Sequence, residues 1–148
     1  KGTTITIRLP LKTIGVEERK ALLADTAPKR HLRILVVDDE EWVLSLVSRY
    51  LKPEGHCIER AASGREGLRK LEAGGLDLVI TDRAMPDMSG DQVAKAAKER
   101  TPDTPVIMLT GFGEIMKEEG CIPEGVDVIL GKPMTRDELK RAIAGVTA

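Results

Sequence analysis

From residue 33 onward, short apolar runs rich in Val, Ile and Leu alternate with polar stretches whose apolar residues recur at helical spacing. Such runs mark strands buried on both faces, and the stretches between them mark the helices that cover those faces. Arg33-Ile34-Leu35-Val36-Val37 stops at Asp38-Asp39-Glu40, a strand followed by a helix start. Val43, Leu46, Val47, Tyr50 and Leu51 then mark a helix ended by Pro53 and Gly55. A weaker strand, His56 to Arg60, leads to Ser63, an N-cap with Glu66 three residues on. Leu68 and Leu71 stripe the second helix, and Gly74-Gly75 closes it. A third strand spans Leu76 to Thr81, a loop Asp82 to Gly90 and a helix Asp91 to Arg100. Pro105 to Leu109 and Val126 to Leu130 are the fourth and fifth strands, with a short helix, Glu114 to Glu119, between them. A last helix runs from Arg136 to Ile143. The predicted fold is α/β, a doubly wound five-stranded parallel sheet with helices on both faces.

The start of the chain departs from this plan. Thr3 to Pro10 alternates like a strand with one wet face, Val16 to Ala24 is a short polar helical segment, and Ala27-Pro28-Lys29-Arg30 reads as a linker. Up to Leu32 there are seven Lys/Arg against three Asp/Glu; from Arg33 there are sixteen against twenty-one. Segments of +4 and −5 indicate two units, an appendage over 1–31 and a domain over 32–148. The total of −1 gives no reason to expect nucleic acid or an anionic membrane as partner. Cys57 and Cys121 are too few for a disulfide framework or a zinc cage and are read as reduced thiols in a cytoplasmic chain. No apolar run is long enough to span a bilayer and no signal-peptide pattern is present, so no direct membrane contact is expected here. The start at Lys1 reads as that of a fragment, whose parent is open to being membrane-anchored.

The chemistry lies at one edge. Asp38 and Asp39 follow strand one, Asp82 strand three and Lys132 strand five, and Thr110 ends strand four. Open α/β sheets bind ligands at the carboxyl ends of their strands, where the strand order reverses. If the order is 2-1-3-4-5, the three aspartates converge. An all-oxygen cluster without His or Cys suits a hard cation that keeps its waters, Mg²⁺. A carboxylate beside a metal and a lysine can act as nucleophile toward phosphorus, with the cations neutralising the phosphoryl oxygens. Thr110 can donate to a phosphoryl oxygen once one is present, which makes it a switch hydroxyl. Read alone, Asp38-Asp39 would be an acidic helix start. Trp42, Tyr50 and Phe112 read as packing residues, the methionines as gap-fillers, and His31 and His56 as surface or strand residues.

In order and spacing, Ile34 to Glu40, Asp82 to Gly90, Leu109-Thr110-Gly111 and Gly131-Lys132-Pro133 resemble the receiver domain of two-component signalling. The resemblance implies the flavodoxin-like receiver fold. It implies Asp82 as phosphoacceptor and Mg²⁺ held by Asp39, Asp38, Asp82 and the backbone carbonyl of Ala84. It also implies Lys132 pairing with the phosphoryl group across a cis bond to Pro133, and Thr110 as the switch. The implied partner is a histidine kinase or histidine phosphotransfer protein; a homodimer is left open. Ile129 stands where members often carry Tyr or Phe, so a rotating aromatic switch is not expected. Gly111 to Gly125 is expected to form an irregular fourth helix. Lys1 to Pro10 resembles the final strand of a histidine kinase ATP-binding domain. Together the two resemblances imply the C-terminal receiver of a hybrid histidine kinase. The competing readings are a Mg²⁺-dependent phosphohydrolase with an aspartyl-phosphate intermediate, and an unphosphorylated interaction module.

Overall fold

A computed structural model of the chain describes residues 31–111 and 122–147. The expectations for residues 1–30, for the helix at Glu114 to Glu119 and for Phe112, Met116 and Cys121 lie outside the described residues. Five strands, β1 (Arg33–Val37), β2 (Cys57–Ala61), β3 (Leu78–Asp82), β4 (Val106–Thr110) and β5 (Val128–Gly131), form one sheet. All neighbours are parallel and the order is β2-β1-β3-β4-β5, as predicted. Four described α-helices accompany them: α1 (Glu41–Leu51), α2 (Gly64–Ala73), α3 (Gly90–Arg100) and α4 (Arg136–Thr147).

Side chains alternate across a strand, so each central strand feeds two cores. Ile34, Val36, Leu78, Ile80, Ile107 and Leu109 pack with Val43, Leu44, Val47 and Leu51 of α1 and Leu139, Ala142 and Ile143 of α4. Leu35, Val37, Val79, Val106 and Met108 pack with Leu71 of α2 and Val93, Ala94 and Ala97 of α3. Each such Val, Leu or Ile removed from water contributes roughly 1.5–3 kcal/mol. This two-sided demand is why β1, β3 and β4 read as continuous apolar runs. Edge strand β2 carries Cys57, Glu59 and Arg60 instead and is only partly buried, which blunts an open edge.

Three boundaries differ from prediction by two residues or more. β3 starts at Leu78 rather than Leu76, and β5 at Val128 rather than Val126. One device accounts for both. Asp77 Oδ2 accepts from the Arg33 amide at 2.9 Å, and Asp127 Oδ2 accepts from the Val106 amide at 2.8 Å. At each strand entrance the aspartate amide still donates to the neighbouring carbonyl, while its side chain stands in for the backbone carbonyl that would accept from the neighbouring amide. α4 runs past Ile143 to Thr147 because Val146 still packs on the core, so the helix carries Gly145 without breaking.

Caps fix the helices that carry the site loops. Ser63 Oγ accepts from the Glu66 amide, as predicted, but Glu66 reaches back to the Ala62 amide rather than that of Ser63. α3 has a full capping box, Ser89 with Gln92. Trp42 corrects the packing expectation: it is 51% exposed at the start of α1.

Candidate functional site

Asp38 and Asp82 reach the same edge because β1 and β3 are neighbours. The Asp38 amide donates to the Ala61 carbonyl at 3.0 Å, continuing the β1–β2 pairing one step beyond the strand. The Asp38 side chain is fully buried, and its Oδ1 accepts from the Glu40 amide at 2.8 Å. Asp82 is the last residue of β3 and 5% exposed; the next amide, of Arg83, donates to the Leu109 carbonyl on β4. Exposed Asp39 completes the acidic group. One carboxylate oxygen from each of Asp38, Asp39 and Asp82 lies within 4.8 Å of the others.

Lys132 follows β5, where its amide donates to the Thr110 carbonyl at 3.0 Å. The peptide bond to Pro133 is cis, as predicted. The Lys132 ammonium lies 2.8 Å from Asp82 Oδ1, 3.0 Å from Asp38 Oδ2 and 3.2 Å from Glu40 Oε1. Thr110 is buried at the end of β4, in the strand next to β3. Ala84 is exposed in the loop two residues past Asp82.

Burial pushes the Asp38 carboxyl up to about 6; the Glu40 amide and Lys132 oppose the rise, and the Asp82 charge adds to it. For Lys132 burial alone acts downward, but contact with Asp82 and Asp38 outweighs it and holds the ammonium above its ordinary range. Oδ2 of Asp38 is buried and accepts no well-directed hydrogen bond, so the nearby lysine attracts it through charge. A buried carboxylate oxygen without a directed donor, grouped with two further carboxylates, fits a hard divalent cation.

Two functional neighbours are not visible in the sequence. Glu40 reaches Lys132 across 92 positions, and its other oxygen, Oε2, accepts from the Trp42 indole N–H at 3.0 Å. These contacts, Trp42 first and Lys132 second, hold the Glu40 carboxyl below its ordinary range. Asp87 lies in the Asp82–Gly90 loop but caps another helix. Its carboxylate accepts from the Arg65 amide at 2.8 Å and the Gly64 amide at 3.2 Å, at the start of α2. Those amides, Arg65 first, keep Asp87 acidic. Asp87→Ala removes a carboxylate from a helix N-terminus; the expected loss in melting midpoint is about 3–5 °C, with faster amide exchange in the first turn of α2. Unchanged exchange there would show the cap to be idle.

Residues 34–144 match the family described as the response regulator receiver domain. Among curated proteins, the transcriptional regulatory protein GlrR of Escherichia coli strain K12 is 39% identical over 110 residues, covering 74% of this chain and 25% of that one. The sensor protein EvgS of the same strain is 32% identical over 142 residues, 94% of this chain and 12% of that one. The chain thus spans a quarter or less of these two relatives. Among solved structures, the chemotaxis protein CheY4 of Vibrio cholerae superposes with a TM-score of 0.71 at 31% identity, covering 79% of this chain and 99% of that one. The response regulator TrrA of Thermotoga maritima, in complex with Mg²⁺–BeF, gives 0.69 at 35% identity, covering 78% and 98%. With more than half of the chain matched and the strand order of these structures reproduced, the chain belongs to the response regulator receiver domain family of two-component signalling.

Proposed function

We propose that Asp82 is the phosphoacceptor of a phosphorelay, taking its phosphoryl group from a phosphohistidine on a histidine kinase or histidine phosphotransfer protein. A carboxylate oxygen of Asp82 attacks phosphorus while the phosphorus–nitrogen bond breaks. The imidazole leaves with the electron pair and takes a proton from solvent, and Asp82 becomes an acyl phosphate. The observation that carries this reading is Lys132 Nζ lying 2.8 Å from Asp82 and 3.0 Å from Asp38. A point cation so placed meets the charge on phosphoryl oxygens without moving far. Asp38, Asp39 and Asp82, with the Ala84 carbonyl, would hold Mg²⁺, which supplies further charge neutralisation at the phosphoryl group when bound. Thr110 donates its hydroxyl to a phosphoryl oxygen in the phosphorylated state alone, which biases the fold toward that state. Ile129 is buried among the residues of the second core, so the response passes through backbone shifts rather than through a rotating ring.

The domain reading follows the same lines: an appendage over 1–31 and a receiver over 32–148, forming part of a hybrid sensor kinase. The EvgS match supports it. Covering 94% of the chain, it leaves too few unmatched positions to stop short of the first thirty residues, and EvgS is a sensor protein.

The test is intact mass after incubation with Mg²⁺ and acetyl phosphate. The expected result is one added phosphoryl group that requires Mg²⁺ and is absent in Asp82→Asn. An adduct that persists in the variant would remove Asp82 from its assigned role. No adduct from acetyl phosphate or from a phosphorylated kinase would leave an interaction module.

A further inference from the structure

Three carboxylates hold Lys132, and one of them lies outside the acidic cluster. Glu40 occupies the N-cap position of α1, yet its side chain makes no capping hydrogen bond. Its Oε1 accepts from Lys132 at 3.2 Å and its Oε2 from the Trp42 indole at 3.0 Å. One carboxylate therefore bridges the lysine of the site to the single tryptophan of the chain.

An ammonium carries three donors. Three carboxylates crowd this one, at 2.8, 3.0 and 3.2 Å, with Asp38 held through charge rather than by a directed hydrogen bond. A phosphoryl group on Asp82 brings new acceptor oxygens and close to two negative charges, so Lys132 turns toward them at the expense of the partner it holds least firmly. Asp38 is sealed in the interior and keeps its place. The Glu40 side chain is 48% exposed and makes the longest of the three contacts; once released it is rehydrated at little cost. Its charge lies 3.2 Å from the ammonium that meets the phosphoryl group, and so acts against the arriving negative charge.

We propose that Glu40 is a positioning residue: it tethers Lys132 in the unphosphorylated protein, opposes arrival of the phosphoryl group, and on release passes the change to Trp42. The proposal rests on Asp82 being the phosphoacceptor.

The experiment follows intact mass and tryptophan emission together, on the full chain with Mg²⁺ and acetyl phosphate. In the native protein emission changes in step with the adduct. Glu40→Gln, at an exposed position that caps nothing, takes up the phosphoryl group about two- to fivefold faster, the scale of one solvent-exposed ion pair. Its emission stays flat while the adduct forms. Glu40→Asp keeps the charge but is one methylene too short to span Lys132 and Trp42, and it behaves as Glu40→Gln. A Glu40→Asp protein indistinguishable from native would mean that charge alone acts, and the tether is overturned. A Glu40→Gln rate at or below native overturns it too, as does an emission change that survives the substitution. These failures are separable from that of the phosphoacceptor reading, which alone predicts an adduct on the native chain; with no adduct from acetyl phosphate or from a phosphorylated kinase both readings fall.

Discussion

Gly90→Ala is expected to cost about 3 kcal/mol of stability or more, lowering the melting midpoint by about 10 °C, and to blunt phosphoryl uptake at Asp82. Gly90 opens α3, and a Cβ built on it falls 2.1 Å from the Asp82 carbonyl oxygen and 2.9 Å from the Arg83 Cα. Both are backbone atoms, so no side chain can turn aside. The Gly90 amide also donates to the Arg83 carbonyl at 2.8 Å, which ties the helix start to the residue after the proposed acceptor. An added methyl therefore pushes β3 and α3 apart at Asp82 itself. Ala ordinarily favours a helix over Gly by about 0.5–1 kcal/mol, too little to offset the overlap. Gly145→Ala supplies the opposite sign in the same protein. Nothing lies within 4 Å of a Cβ there, so the helical preference of Ala acts alone and stability rises by a few tenths of a kcal/mol or more. Chemical denaturation of both variants decides the matter; a Gly90→Ala protein as stable as native would contradict the overlap.

The contrast between these glycines shows where sequence reasoning ends. Strand order and layering were legible because β1, β3 and β4 are apolar on both faces, a pattern that few arrangements other than a covered parallel sheet can satisfy. Asp38, Asp82 and Lys132 were legible as one site because each stands at a strand terminus, and a parallel sheet gathers such termini at one edge. Strand starts were misread at Leu76 and Val126 because apolar character continues past the point where Asp77 and Asp127 take over the pairing. Nothing in the local pattern announces a bond to a strand more than twenty residues away. Trp42 was misread for a related reason: an aromatic ring near a helix start is usually buried, whereas this one is held at the surface by Glu40. The role of Glu40 itself depends on a lysine 92 positions on, and no spacing rule pairs a second-row acid with one lysine rather than another.

Asp38→Asn is expected to make the metal-free protein more stable at pH 7, by on the order of 1–3 kcal/mol, and to remove the pH dependence that Asp38 imposes. The Asp38 carboxyl is raised from 3.8 to about 6 in the folded state, chiefly by burial. Between those values the folded chain keeps a proton that the unfolded chain has lost. Stability therefore falls as pH rises through this window, and above it the fold bears the full cost of a buried charge. A shift of about two units at roughly 1.4 kcal/mol each sets the upper end; losing one partner of Lys132 sets the result below it. Asp87 and Glu40 are shifted the other way. Their stabilising contributions are complete above ordinary carboxylate values and are lost only as pH falls below them. They leave the interval from pH 5 to 7 untouched, and subtracting variant from native cancels every group that the two share. Denaturation in EDTA at pH 5 and pH 7 reads the difference directly: native and variant lie closer at pH 5 and separate at pH 7, with the variant ahead. Mg²⁺ reverses the order, since a cation that binds the folded state alone stabilises the native protein by mass action and has lost a ligand in the variant. A native protein that gains on Asp38→Asn between pH 5 and 7 in EDTA would mean that Lys132 more than compensates the buried carboxylate, and that the site is built for its own ion pair rather than for an added cation.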